Sequence, residues 1–184
     1  MQYVLKTPLS KQDLAPLKAG DTVLLSGVVY TARDAAHARM MELLDKGESL
    51  PFPIEGAAIY YVGPTPERPG CAIGAAGPTT SGRMDAYTPR LLDLGLACMI
   101  GKGKRDDAVK AAVVRNGAVY LAALGGAGAL MAKSVQTLEV IAWPDLGCEA
   151  VRRLIVKDMP LTVILDAHGG DLYQSGPAAY LEAK

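Results

Sequence analysis

The sequence predicts an α/β fold: a single domain over residues 1–184, with a mixed sheet and flanking helices. Three observations lead there. Short apolar runs alternate with segments of helical periodicity along most of the chain. Half of the 184 residues are hydrophobic, which suffices for one sizeable core. Twenty glycines against one Phe and one Trp point to tight loops and close backbone approaches rather than a large aromatic core. No internal repeat of fixed period and no linker divides the chain.

The elements follow in order. "DTVLLSGVVYTA" (21–32) is rich in β-branched residues around a mid-run glycine and reads as a strand or a hairpin pair. "RDAAHARMMELLDKG" (33–47) carries apolar residues at 36, 40, 43 and 44, a helical stripe that stops at Gly47. "GAAIYYVG" and "CAIGAAG" are two short apolar runs separated by the turn-rich "PTPERPG". A helix is expected over "GRMDAYTPRLLDLG", then the strand "ACMIG", the glycine loop "GKGKR" and a helix from Asp106 to Asn116. The strand "AVYLAAL", the glycine-rich helix "GGAGALMAKS" and the strand "LEVIAW" come next. "RRLIVKDMPLTVILDAHGGDLY" reads as two strands joined at "KDMP" and ending in a turn.

Nineteen basic residues balance nineteen acidic ones, so the chain has no long-range attraction for nucleic acid or an anionic membrane. Any anion recognition must be local. The N-terminal stretch lacks the charged-then-apolar run of a signal peptide, and no apolar run is as long as a membrane span. The expectation is a soluble, cytoplasmic protein. Cys71, Cys98 and Cys148 lie far apart with no CxxC or close Cys–His spacing, which reads as free thiols rather than metal ligands.

The chemistry concentrates in "GPTTSGRMD", Gly77 to Asp85. Gly77 and Gly82 have the glycine spacing of a phosphate-binding P-loop, but Arg83 and Met84 stand where Lys and Ser or Thr are needed. Pro78 also removes a backbone donor. Nucleotide binding is therefore set aside. A turn into a helix start can still receive an anion. Thr79 or Thr80 can cap that helix, which leaves one hydroxyl spare. Arg83 in a first helical turn opposes the dipole unless an anion joins it. Its planar fork could grip a ligand carboxylate, or it could pair with Asp85 or another surface carboxylate. Lys102 in "GKGKR" and Arg33, followed by Asp34, also stand at strand-to-helix turns, where α/β proteins place ligands. A small substrate with two carboxylates would use such a set of cations. His37, three residues after Asp34, is expected to hydrogen-bond to it and to support the site without touching substrate; His168 is expected to be solvated. Lys104 and Arg105 are expected to flank the site.

These motifs resemble a known family. "TARDAAHAR", "GPTTSGRMD", "MIGKGKR", "GGAGALMAKS" and "DLGCEAVRRLIVKDMPLTVILDAHG" are similar, in the same order, to the β subunit of iron-sulfur-dependent fumarate hydratases and L(+)-tartrate dehydratases. In some members of that family this unit is the C-terminal domain of a longer chain. The resemblance implies a swivelling β/β/α domain that closes over an active site shared with an α subunit. It also implies a 4Fe-4S cluster held by the α subunit, and either an α2β2 assembly or a homodimer of this chain. The implied reaction is reversible hydration of fumarate to L-malate, or the matching dehydration of a tartrate. Thr79 would be the catalytic base, and Arg33, Arg83 and Lys102 would bind the dicarboxylate substrate, with Asp34, His37 and Thr80 behind them. A small-dicarboxylate-binding domain on the same scaffold, without chemistry, is the alternative from another class.

Overall fold

The computed structural model describes residues 1–182. It contains β1 (Gln2–Lys6), α1 (Lys11–Leu14), β2 (Thr22–Thr31), α2 (Asp34–Asp45), β3 (Ala58–Tyr60), α3 (Thr88–Asp93) and β4 (Cys98–Gly101). These are followed by α4 (Asp107–Asn116), β5 (Val119–Ala122), α5 (Gly128–Lys133), β6 (Val135–Ala142), β7 (Val151–Leu165) and α6 (Leu172–Glu182). Among the described residues no helix is long and apolar enough to cross a membrane.

The sheet has seven strands in the order β1-β2-β3-β4-β5-β7-β6, with a further pairing between β2 and β7. That extra pairing closes a circuit: β2 pairs with β3, β3 with β4, β4 with β5, β5 with β7, and β7 returns to β2. Strands β2 to β5 run parallel, and β7 runs antiparallel to both of its ring neighbours. The two-residue alternation of strand side chains then sorts the apolar residues into two cores. Val23, Leu25, Val29, Ala58, Tyr60, Cys98, Ile100, Val119, Leu121, Leu154 and Val163 share one cluster. Ile59, Tyr61, Met99, Tyr120 and Ile164 point the other way, to meet Met40 of α2, Leu91 and Leu92 of α3, and Val109 and Val113 of α4. The mixed sheet and flanking helices are as the sequence predicts.

Four local expectations change. The "KDMP" stretch joins no pair of strands. It is a bulge inside one fifteen-residue strand, where Lys157 and Asp158 together oppose Ser26 alone. Asp158 takes a left-handed conformation at φ 48°, which Asp tolerates, and its N–H donates to Ser26 Oγ at 2.9 Å. "CAIGAAG" is not a strand. It crosses the end of the ring, pinned by the Tyr60 hydroxyl on the Ala76 carbonyl and by the Ala76 N–H on the Gly128 carbonyl at 3.0 Å. The helix expected over 82–95 is divided into a 3₁₀ turn, Ser81–Met84, and α3. Pro89 has no N–H to offer the Asp85 carbonyl, so a helix can start beside it but cannot run through it. Finally, β1, α1 and α6 lie where no element was foreseen, while of the two readings of "DTVLLSGVVYTA" the single strand is the one found.

Gly27 allows the chain to leave β1. Its φ is +106°, and a Cβ there would overlap Thr7 Oγ1 and lie 3.1 Å from the Thr7 carbonyl oxygen. Gly27→Ala should destabilise the fold by about 2 kcal/mol or more, because backbone strain and steric overlap add. Urea denaturation of the two proteins measures this directly.

Candidate active site

The parallel strands β2, β3 and β4 end at one edge, and the sequence motifs emerge there. Arg33 follows β2 as the N-cap residue of α2. The Thr79 N–H donates to the Tyr61 carbonyl just past β3, at 2.7 Å. Thr80 bridges in parallel to Lys102, just past β4. Lys102 in turn accepts the Ser81 N–H at 2.8 Å on its carbonyl, and its own N–H donates to Ser81 Oγ at 3.0 Å. The edge therefore assembles Arg33, Asp34, Thr79, Thr80, Arg83 and Lys102 from three loops.

Beneath the loops lies a buried polar knot. Asp85 accepts Arg105 Nε at 2.6 Å on Oδ1 and the Asp106 N–H at 2.7 Å on Oδ2. Arg105 Nη2 donates to Thr88 Oγ1 at 2.7 Å, and the guanidinium lies 5.4 Å and 5.1 Å from the ring centres of Tyr61 and Tyr120. Ser81 is fully buried and shares a hydrogen bond of 2.9 Å with the Tyr120 hydroxyl, which also donates to the Gly103 carbonyl. The Tyr173 hydroxyl accepts the Gly103 N–H at 3.1 Å. Gly101 makes this closeness possible: a Cβ there would overlap Ser81 Oγ.

Several side chains sit differently from expectation. Arg83 pairs with Asp34, Nε to Oδ1 at 2.8 Å, and not with Asp85, whose two oxygens are already used. Neither threonine caps a helix. Thr80 precedes the 3₁₀ turn with no side-chain cap bond, and no α-helix begins at the motif to lend it a dipole. The Thr79 hydroxyl has no hydrogen-bond partner among the described residues, nor does the Lys102 ammonium have a carboxylate. His37 bonds not to Asp34 but to the Arg33 carbonyl, through Nδ1 at 2.8 Å. This assigns the ring proton to Nδ1 and leaves Nε2 buried and unpaired. Arg105, expected to flank the site, is the centre of the knot, its side chain fully buried. His168 is exposed, with Nε2 against the Ala15 carbonyl at 2.7 Å, beyond the end of β7 that pairs with the amino ends of β2 and β5. That is the far end of the ring from Thr79. Sequence reading missed Ser81, Asp85, Tyr120 and Glu149. The serine and the acid were visible inside the motif, but only the fold reveals the tyrosine beside Ser81 and Glu149 beside Arg33.

Cys98 is enclosed in β4, and burial pushes its thiol well above the usual range, while Cys71 and Cys148 are exposed. No three His, Cys, Asp or Glu side chains among the described residues converge as a metal-binding group.

Fold and edge together define a class: a mixed-sheet α/β domain whose cations and hydroxyls gather at the carboxyl ends of parallel strands. The family described as the fumarase C-terminus matches residues 1–176, and the chain belongs to it. It is 39% identical over 173 residues to fumarate hydratase 2 of Leishmania major. It is 38% identical over 174 residues to the aerobic class I fumarate hydratase of Salmonella typhimurium. Each match covers 92% of this chain but 30% of the relative, so the chain spans under a third of those enzymes. A Methanocaldococcus jannaschii protein, provisionally named L(+)-tartrate dehydratase subunit beta, is 38% identical over 180 residues, covering 95% of this chain and 92% of its own.

The buried His37 generates a prediction. Burial lowers its pKa from 6.5 to about 4, against the opposing effect of the hydrogen bond it donates to the Arg33 carbonyl. The unfolded chain then binds the extra proton at intermediate pH. Stability from this residue is full above 6.5 and declines as pH falls towards about 4. The slope should reach at most about 1.4 kcal/mol per pH unit. The His37 ring resonances should stay those of a neutral imidazole from pH 8 to about pH 5.5. Urea titrations of wild type and His37→Gln at pH 7 and about pH 5 give the energetic side of the same test.

Proposed function

We propose that this chain is the β-subunit half of a hydro-lyase that reversibly hydrates fumarate to L-malate and works with an α subunit holding a 4Fe-4S cluster. One observation carries the reading. Thr79, with a hydroxyl that no group among the described residues uses, shares an edge with Arg33, Arg83 and Lys102, in a chain of the fumarase C-terminus family. A second reading, dehydration of L(+)-tartrate, is favoured by the end-to-end match to the protein provisionally named as that enzyme's β subunit. The bare edge also suits a dicarboxylate-binding domain without chemistry; activity with an α subunit separates that case.

In the proposed mechanism the substrate's two carboxylates are received by Arg33, Arg83 and Lys102. Arg83 is held from behind by Asp34, so its remaining N–H groups can serve the ligand. Lys102 contributes a mobile point charge on a chain segment fixed by Ser81. Thr79 Oγ1 would act as the alkoxide, its own proton having passed to water before closure; it then takes the proton from carbon in the dehydration direction, becoming the hydroxyl, and returns that proton in hydration. A neutral hydroxyl is a weak base. The adjacent cations, and exclusion of water when the domain swivels closed on its partner, would stabilise the oxyanion. The cluster, when present in the partner, supplies a Lewis acid that weakens the carbon–oxygen bond.

Co-expression with an iron-sulfur α subunit should yield a complex, expected as α2β2, that turns over fumarate or tartrate when neither part alone does so. A chain that ignores such subunits and stays inactive overturns the proposal. Within an active, cluster-loaded complex, Thr79→Val should lower kcat by about 10²–10⁴-fold with a small change in KM. Thr80→Val makes a useful control. Its hydroxyl caps nothing, so stability should change by less than about 0.5 kcal/mol. Near-normal turnover in Thr79→Val would transfer the base role elsewhere, with His37 Nε2 the next group to test.

A further inference from the structure

Arg33 is held more closely than its place at a helix start requires. It is the N-cap residue of α2 but makes no capping bond of its own. Glu149 supplies the cap: its Oε2 accepts the Ala35 N–H at 3.0 Å, while its Oε1 lies 3.3 Å from Arg33 Nη2. One carboxylate thus closes the helix and grips the guanidinium. Gly63 forms a second wall, next to the Cys148 carbonyl. A Cβ there would stand 2.5 Å from Arg33 Nη1 and 3.2 Å from Arg33 Cδ, so the glycine provides room. Arg33 Nε is enclosed with no partner among the described residues, a cost in stability that the site tolerates while the fork is held in place.

The loop carrying Glu149 is itself braced. Arg152 donates to the carbonyls of Gly147 at 2.7 Å and of Cys148 and Ala150 at 3.0 Å. Asp145 of the same loop takes both Arg39 Nη1 and Nη2, tying it to α2 a second time. Thr31 Oγ1, at the end of β2, accepts the Arg152 N–H at 3.1 Å.

We propose that Glu149 and Gly63 are positioning residues for Arg33: the slot between them aims its fork at an incoming substrate carboxylate. The inference rests on the hydro-lyase reading above. A guanidinium oriented beforehand loses less freedom on binding, so the effect belongs in substrate affinity more than in the chemical step.

The test is a double-mutant cycle in the co-expressed complex, with fumarate and L(+)-tartrate as probes. Glu149→Gln and Gly63→Ala should each raise KM by about 10-fold while changing kcat by less than about 3-fold. On an Arg33→Ala background the same substitutions should change KM by less than about 2-fold, because the residue they act through is gone. Glu149→Asp, which keeps the charge but not the reach, replaces Glu149→Gln if that variant fails to fold. A second readout uses the full chain alone. The Arg33 Nε–H resonance, assigned by its loss in Arg33→Ala, should exchange slowly in wild type and quickly in either slot variant. KM effects of equal size on both backgrounds, or unchanged Nε–H exchange, overturn the inference. A complex that turns over neither substrate overturns the hydro-lyase reading, and the exchange measurement then decides the slot by itself.

Discussion

The ion pair between Arg105 and Asp85 is the constraint on which the rest of the edge depends. The two residues come from different loops, one after β4 and one after the "GPTTSGR" run, and their contact is buried. Removing one partner from a buried pair leaves an uncompensated charge, at about 3–5 kcal/mol. The loops therefore hold one relative position. Asp85 uses its second oxygen to fix the Asp106 N–H, beside the start of α4, and Arg105 reaches Thr88 at the start of α3. Two helix starts and two loops thus meet at one charge pair. Ser81 and Tyr120 extend the same network to Lys102 and Gly103. The side chains of Thr79 and Lys102 can be spare of partners because the knot beneath them already fixes the loops that carry them.

That division explains what was legible in the sequence. The strands and helices with clean periodicity, β4, β5, α2 and α4, appear where their apolar spacing places them. So do the strand-to-helix turns that carry Arg33 and Lys102, whereas Arg83 lies in a 3₁₀ turn that no strand directly precedes. What was not legible depends on pairing across distance. A bulge in β7 is defined by Ser26 on another strand, more than a hundred residues away. The role of Arg105 is defined by Asp85, and that of Glu149 by Arg33. By contrast α1 was announced locally and overlooked: Ser10 and Asp13 form a reciprocal capping box over three residues. In α6, Gly176 and Pro177 argue against a helix that nonetheless forms.

The first turn of α2 concentrates unmet polar groups. Arg33 Nε, Asp34 Oδ2 and His37 Nε2 are three of the four buried side-chain polar atoms without a partner among the described residues. Buried polar atoms are normally satisfied, and the exceptions gather where packing serves something other than stability. Here they lie directly behind the cations of the edge. Packing is therefore least complete where Arg33, one candidate substrate ligand, and Asp34, the support of another, originate.

The closed circuit of β2, β3, β4, β5 and β7 has a consequence for inheritance. A ring whose last strand pairs with its first carries its own boundary, so attaching further polypeptide need not supply or remove a strand. Relatives occur at both extremes: one protein that is almost entirely this unit, and enzymes in which it makes up 30% of the chain. A self-bounded unit can be fused to other coding sequence or carried by a gene of its own without redesign of its interior. On the proposed function, what selection must then preserve is the edge, where the candidate substrate ligands stand.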